Sequence, residues 1–116
     1  GRKLPLLGGL KMIPVPKPSF KRKAPKKSVR GNFNRQTRQK IYERDEGLCR
    51  NCGSIGEEIH HVKYRSQNGR GVYTNGLTLC SYCHRKVHRE RELSEHWMNK
   101  FEELYGKDYY KDEWDR

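Results

Sequence analysis

Two Cys-x-x-Cys pairs, Cys49/Cys52 and Cys80/Cys83, constrain this chain more than any other feature. They stand 27 residues apart, far enough to hold a whole β-hairpin between them. Four thiolates suit a tetrahedral zinc ion, and an all-cysteine set leaves no position open for water, so the site is expected to be structural. Two disulfides, or free buried thiols, are the alternative. The staple matters because the chain has 116 residues, 32% hydrophobic and 34% charged. That fits one domain at most, with a small core of the kind that often needs a metal or a disulfide. The apolar run Leu4 to Leu10 is short, holds a proline and sits among basic residues, so neither a signal peptide nor a membrane anchor is expected. Without export, the cysteine pairs point to metal rather than disulfides.

Local patterns predict an α+β arrangement. Asn34 can cap a helix running to about Asp45, with Ile41 and Leu48 as apolar contacts and Gly47 at its end. Ile55 to Val62 reads as a turn and then a strand. Ser66 to Asn75, rich in Gly, Asn and Ser, reads as a loop. Leu77-Thr78-Leu79 is a short second strand. A helix is expected from Cys80 to about Arg91, and another from Ser94 carrying Trp97, Phe101 and Leu104 as core. The middle of this order is a ββα unit.

Four of the five histidines lie in that unit. His84 and His88 are four apart, which puts both imidazoles on one helix face, able to share a metal. His60 and His61 are neighbours on a strand, so their side chains leave on opposite faces. One can complete a three-histidine site and the other can stand across a bound substrate. Three protein ligands leave positions open, as in catalytic metal sites. Solvated or DNA-facing histidines are the bland alternative.

The formal charge is +12. Residues 1–31 contribute ten Lys or Arg and no acid, whereas residues 32–116 are +2. This basic, Pro- and Gly-rich segment is expected to be a disordered tail, either a solvated linker or an arm on nucleic-acid phosphates. "KRKAPKK" (Lys21 to Lys27) also looks like a nuclear import signal. The domain is expected over residues 32–108, followed by a polar tail over 109–116.

His61, Asn75 and His84 resemble the three signature residues of the HNH endonucleases. The segment from His60 to His88 is similar to that family's ββα-metal motif, and the two cysteine pairs match its tetracysteine, zinc-bearing branch. The likeness covers about residues 45–90; small size and a basic tail resemble the phage-encoded members. The loop "SQNG…VY" also resembles that of the colicin DNases, which lack the four cysteines. The resemblance implies a zinc-stapled ββα-metal (His-Me finger) domain that hydrolyses DNA to 5′-phosphate and 3′-hydroxyl ends. It implies that His60, His84 and His88 hold a catalytic divalent metal and that His61 is the general base. Asn75 is implied to hold the loop and orient His61 through the backbone. Many members have proline where this chain has Tyr64. Imidazole ligands favour Mn, Ni, Co or Zn, and relatives are often supplied with Mg, so Mn²⁺ or Mg²⁺ is the expected activator.

Lys63, Arg65, Arg70, Arg85, Lys86 and Arg89 surround the motif, and residues 32–89 carry +6 against −4 for 90–116. Arg65, Arg85 and Lys86 are the candidates for phosphate contact. No base-reading module is recognisable, which predicts weak sequence preference and strong salt dependence. The resemblance further implies a cytoplasmic enzyme (the host's cytoplasm for a phage), a monomer or weak dimer, and terminase-type packaging partners. Rival readings are a non-catalytic zinc-binding DNA module, a docking module for a larger nuclease or packaging machine, and an RNase.

Overall fold

The computed structural model describes residues 22–115. Residues 1–21, which hold most of the expected basic tail and the start of the KRKAPKK run, lie outside the described residues, as does Arg116.

Helix α1 is a single turn, Lys27–Arg30, and α2 spans Arg35–Arg44. Asn34 caps α2, its Oδ1 accepting from the Thr37 N–H at 2.8 Å, which satisfies a donor that the first turn leaves orphaned. Ile41 is its one fully buried apolar residue. Glu46 and Gly47 both take positive φ (58° and 69°). They turn the chain off the helical path before Leu48, so Leu48 is exposed rather than a core contact.

Strands β1, Glu58–His61, and β2, Gly76–Leu79, pair antiparallel, with His60 opposite Leu77 and His61 opposite Gly76. Opposed residues share a face of the sheet. Leu77 and His60 therefore look one way, while Gly76 and His61 look the other. On the Gly76 side there is no room for a side chain: a Cβ there would lie 2.2 Å from Ile41 Cδ1. On the Leu77 side pack α3, Ser81–Arg89, and α4, Arg91–Tyr105. Val62, Leu77, Leu79, Val87, Trp97, Phe101 and Tyr109 form the core, each contributing on the order of 1.5–3 kcal/mol by leaving water. The Asp45 carboxylate, fully buried, accepts from Arg44, Arg50 and the Thr78 N–H, tying the end of α2 to β2 and to the first cysteine turn.

Three further expectations are corrected. Helix α4 begins at Arg91, not Ser94, and its inward stripe is Ser94, Trp97, Phe101 and Tyr105; Leu104 lies off that stripe and is exposed. The end of the expected basic tail is folded: Arg30 makes a bidentate pair with Asp112 (2.8 and 2.7 Å) and reaches Asp115 at 2.7 Å. The expected polar tail from 109 onward is likewise packed, with Tyr109 in the core and Asp115 also bound to Arg70 at 3.0 Å. Charges that look solvated one at a time pair across more than 80 residues of chain.

Candidate active site and metal centre

The four cysteines converge. Their sulfurs all lie within 4.8 Å of one another, and none is in a disulfide. Cys52 and Cys80 are 3.7 Å apart, close to the ~3.8 Å edge of a tetrahedron with metal–sulfur bonds of about 2.3 Å. Cys80 Sγ accepts from the Cys83 N–H and so caps α3, which fixes where that helix starts. Asn51 donates to Cys83 Sγ and accepts from Trp97 Nε1, each at 3.3 Å. Trp97 thus reaches the cysteine cluster through Asn51, a contact invisible to spacing. Hydrogen bonds from Ser54 pull the Cys52 thiol down to about 6, and burial pushes Cys83 up to about 12. A cation is the charge that would keep so buried a thiolate ionised. The donor set fits a tetrahedral four-sulfur metal site.

With α3 registered by that cap, His84 and His88 fall on the face turned to β1. They meet His60, with centroids 5.1 Å from His60 to each and 4.9 Å between them. Ring nitrogens of the three lie within 4.8 Å of one another. His60 is 1% exposed, and neither of its ring nitrogens has a hydrogen-bond partner. Leaving such a group unpaired costs about 1–3 kcal/mol, so an orphaned imidazole facing two others fits a metal ligand. Burial, then the neighbouring His84 and His88, push His60 down to about 3. Burial and then His84 also lower His88. Both rings are therefore held in the neutral form that ligation requires.

His61 takes the opposite face of β1, as strand alternation demands. It stacks on Phe33 (centroids 4.3 Å) and its Nε2 lies 2.6 Å from the Gly31 carbonyl. Burial lowers its pKa, and the Gly31 carbonyl opposes that. Asn75, 0% exposed, closes the loop between the strands. Its Oδ1 accepts from the Lys63 N–H (2.8 Å), and its Nδ2 donates to the carbonyls of Lys63 (3.2 Å) and Arg70 (3.0 Å). Its own carbonyl accepts from the Val62 N–H, next to His61.

An open cleft of about 590 Å³ joins these groups, lined by His60, His61, Tyr64, Arg65, Ser66, His84 and His88 among others. Arg65 sits on its rim with its guanidinium donating to Asn32 Oδ1 and the Ser28 carbonyl. Arg85 is exposed and Lys86 half-buried on α3. Arg70, by contrast, is buried on Asp115. Two site residues escaped sequence reasoning. Glu58 Oε1 contacts His84 Nδ1. Tyr64 stacks on His88 and bonds Ser94 Oγ at 2.9 Å. Glu58 had a findable signal, since it lies two residues before His60 and so on the same strand face.

Comparison with known proteins agrees with this geometry. A type IV methyl-directed restriction enzyme, EcoKMcrA of Escherichia coli strain K12, is 31% identical over 78 residues. That match takes in 49% of this chain, and the chain spans 28% of the length of that relative. The family model for HNH endonucleases matches residues 49–90, the stretch from the first cysteine to the end of the histidine-bearing helix. With the cysteine staple, the ββα order and the facing histidines all inside that match, residues 49–90 are identified as an HNH endonuclease domain.

Proposed function

We propose that this protein is a metal-dependent DNA endonuclease that hydrolyses phosphodiester bonds with little sequence preference, leaving 5′-phosphate and 3′-hydroxyl ends. One observation carries the reading: His60 and His61, adjacent on β1, line the same cleft from different sides. His60 joins a three-imidazole cluster with both nitrogens unpartnered, and His61 does not.

In this reading His60, His84 and His88 hold a divalent ion, Mn²⁺ or Mg²⁺, and Cys49, Cys52, Cys80 and Cys83 hold zinc. The bound ion would neutralise charge growing on the phosphate and on the leaving 3′ oxygen. His61, kept below the ordinary histidine range, takes the proton of the attacking water. Asn75 fixes the loop that carries Lys63 to Arg70 and holds the backbone beside His61. Arg65, Arg85 and Lys86 contact phosphates, which steers DNA into the cleft without reading bases. The related restriction enzyme is methyl-directed. With 28% of it matched, methyl direction is not carried over here. Among the described residues no helix is long and apolar enough to cross a membrane. Action in the cytoplasm is proposed from the resemblance alone. A phage origin and a terminase-type partner rest on resemblance in size and charge, and co-purification with such a partner tests them.

Supercoiled plasmid incubated with wild type and His61→Ala, each with Mn²⁺, Mg²⁺ or EDTA, tests the central claim. Metal-dependent nicking or linearisation by wild type, absent from a folded, zinc-loaded His61→Ala, is expected. If both proteins are inert with every metal yet retard DNA on a gel, the chain is a binding module and the proposal fails.

A further inference from the structure

The family match begins at Cys49, yet the partner of His61 comes from residue 31. A carbonyl oxygen can only accept, so the proton between it and His61 sits on Nε2. A neutral His61 in that contact carries its lone pair on Nδ1. The segment that supplies the carbonyl is short and would not hold itself in place. Besides the Arg65 guanidinium on Asn32 and the Ser28 carbonyl, three contacts hold it. Arg30 is clasped by Asp112 and Asp115 near the end of the described chain. The Arg30 carbonyl accepts from the Gly71 N–H at 2.8 Å. At Gly71 the strap comes so close that a Cβ would lie 2.0 Å from the Asn32 carbonyl oxygen. Phe33 then closes over the His61 ring. The Arg70–Asp115 pair fixes the far side of the clasp to the loop that Asn75 ties down.

We propose that Arg30, Asp112 and Asp115 are positioning residues for the reaction: their clasp seats the Gly31 carbonyl on His61 Nε2, and so selects the tautomer whose Nδ1 is free to take a proton. The inference rests on reading His61 as the base. It gives the two flanks of the family domain a role in catalysis, although neither touches the reacting atoms. A base held within hydrogen-bond tolerance of its productive geometry keeps its advantage, and small misplacement loses it.

The test reads the tautomer directly. Protein labelled with ¹⁵N in its imidazoles, loaded with zinc, is examined by ¹H–¹⁵N correlation NMR, and its plasmid-cleavage kinetics are measured. Wild type is expected to show His61 as the Nε2–H form. Arg30→Ala should shift His61 to a mixture of tautomers and lower kcat by roughly 10- to 100-fold. KM for DNA should stay within about twofold, because Arg30 acts through His61 and not on substrate. Should Arg30→Ala fold poorly, Asp112→Asn, which keeps the Asp115 contact, and Gly71→Ala, which displaces Asn32 from the opposite side, give the same readouts. An Nδ1–H tautomer in wild type, or unchanged tautomer and kcat in folded variants, overturns the proposal. A tautomer that responds in a protein that cleaves nothing leaves the positioning intact and removes the nuclease reading instead.

Discussion

Tyr64 lies flat against His88, with ring centroids 5.1 Å apart and planes 21° from parallel, and meets His60 edge-on at 5.8 Å. Its hydroxyl is anchored on Ser94 of α4. The position where the family resemblance implies proline therefore holds a side chain that braces two metal-ligand candidates. An aromatic pair of this kind is worth about 0.5–1.5 kcal/mol. Tyr64→Ala is expected to weaken Mn²⁺ or Ni²⁺ binding at the histidine site by roughly three- to tenfold in calorimetric titration, without loss of the cysteine-bound metal. Affinity equal to wild type would show that the stack is packing alone.

Glu58 engages Nδ1 of His84 and leaves Nε2 to the cluster. A carboxylate behind a ligating imidazole fixes its orientation and raises its basicity, and losing one commonly costs 10- to 100-fold in metal affinity. Glu58→Ala should fall in about that range in the same titration, and Glu58→Gln, which can still accept a hydrogen bond, should lose less. Equal losses in both would assign the effect to charge.

Asn75 is predicted to matter for the fold before it matters for chemistry. Its amide makes three hydrogen bonds inside a site with no solvent access. Asn75→Ala strands one N–H and two carbonyls, which costs about 2–4 kcal/mol. Asn75→Asp keeps the acceptor for Lys63 N–H but sets a carboxylate oxygen against two carbonyls, and should be no milder. Urea unfolding with metal held constant measures both; a change under about 0.5 kcal/mol for either would mean that water replaces the amide.

The clasp also predicts how stability depends on pH. Hydrogen bonds from Arg70 hold Asp115 well below the usual carboxylate range, and those from Arg30 lower Asp112. At Asp45, burial pushes the carboxyl up, but Arg44, Arg50 and the Thr78 N–H overcome it and the pKa falls. A carboxyl whose folded pKa lies below its unfolded value contributes stability fully above the unfolded value, about 3.9 for Asp. That contribution is lost as pH falls from there through the folded pKa. The stability gap between wild type and Asp115→Asn should therefore be constant near neutrality and shrink below about pH 4. Using the gap cancels acid loss of the thiolate-bound metal, which both proteins share. A gap that holds to pH 2 would show that folding leaves the pKa of Asp115 unshifted and that its charge adds nothing to stability.

What could be read from residues alone was whatever depends on short spacing. The Cys-x-x-Cys turns, the His84/His88 face, the Asn34 cap and the opposed His60 and His61 all follow from fixed periodicities of helix and strand, and the structure brings each together as expected. What stayed hidden depends on contacts between distant segments. Arg30 and Asp115 look like solvated charges until the fold sets them 2.7 Å apart. Arg70 looks like one more basic charge around the motif until Asp115 buries it. Leu104 and Tyr105 are equally good continuations of the Trp97–Phe101 stripe, and only the arrival of Tyr73 and the Tyr109 segment favours Tyr105.

Arg85 and Lys86, on the helix that carries His84 and His88, allow a last prediction about DNA. Each phosphate that a side chain neutralises releases counterions, so the slope of log K against log salt steepens by about 0.9 per contact on duplex DNA. Arg85→Ala and Lys86→Ala should each flatten that slope by up to this amount in fluorescence titrations in a His61→Ala background, made with EDTA present so that no DNA is cut. Affinity for unrelated duplexes should fall uniformly, because contacts to phosphate carry no sequence information. Loss confined to one sequence would mean that the helix reads bases. An unchanged slope would place the DNA path elsewhere, along Arg65 and the strap of residues 28–32 that its guanidinium binds.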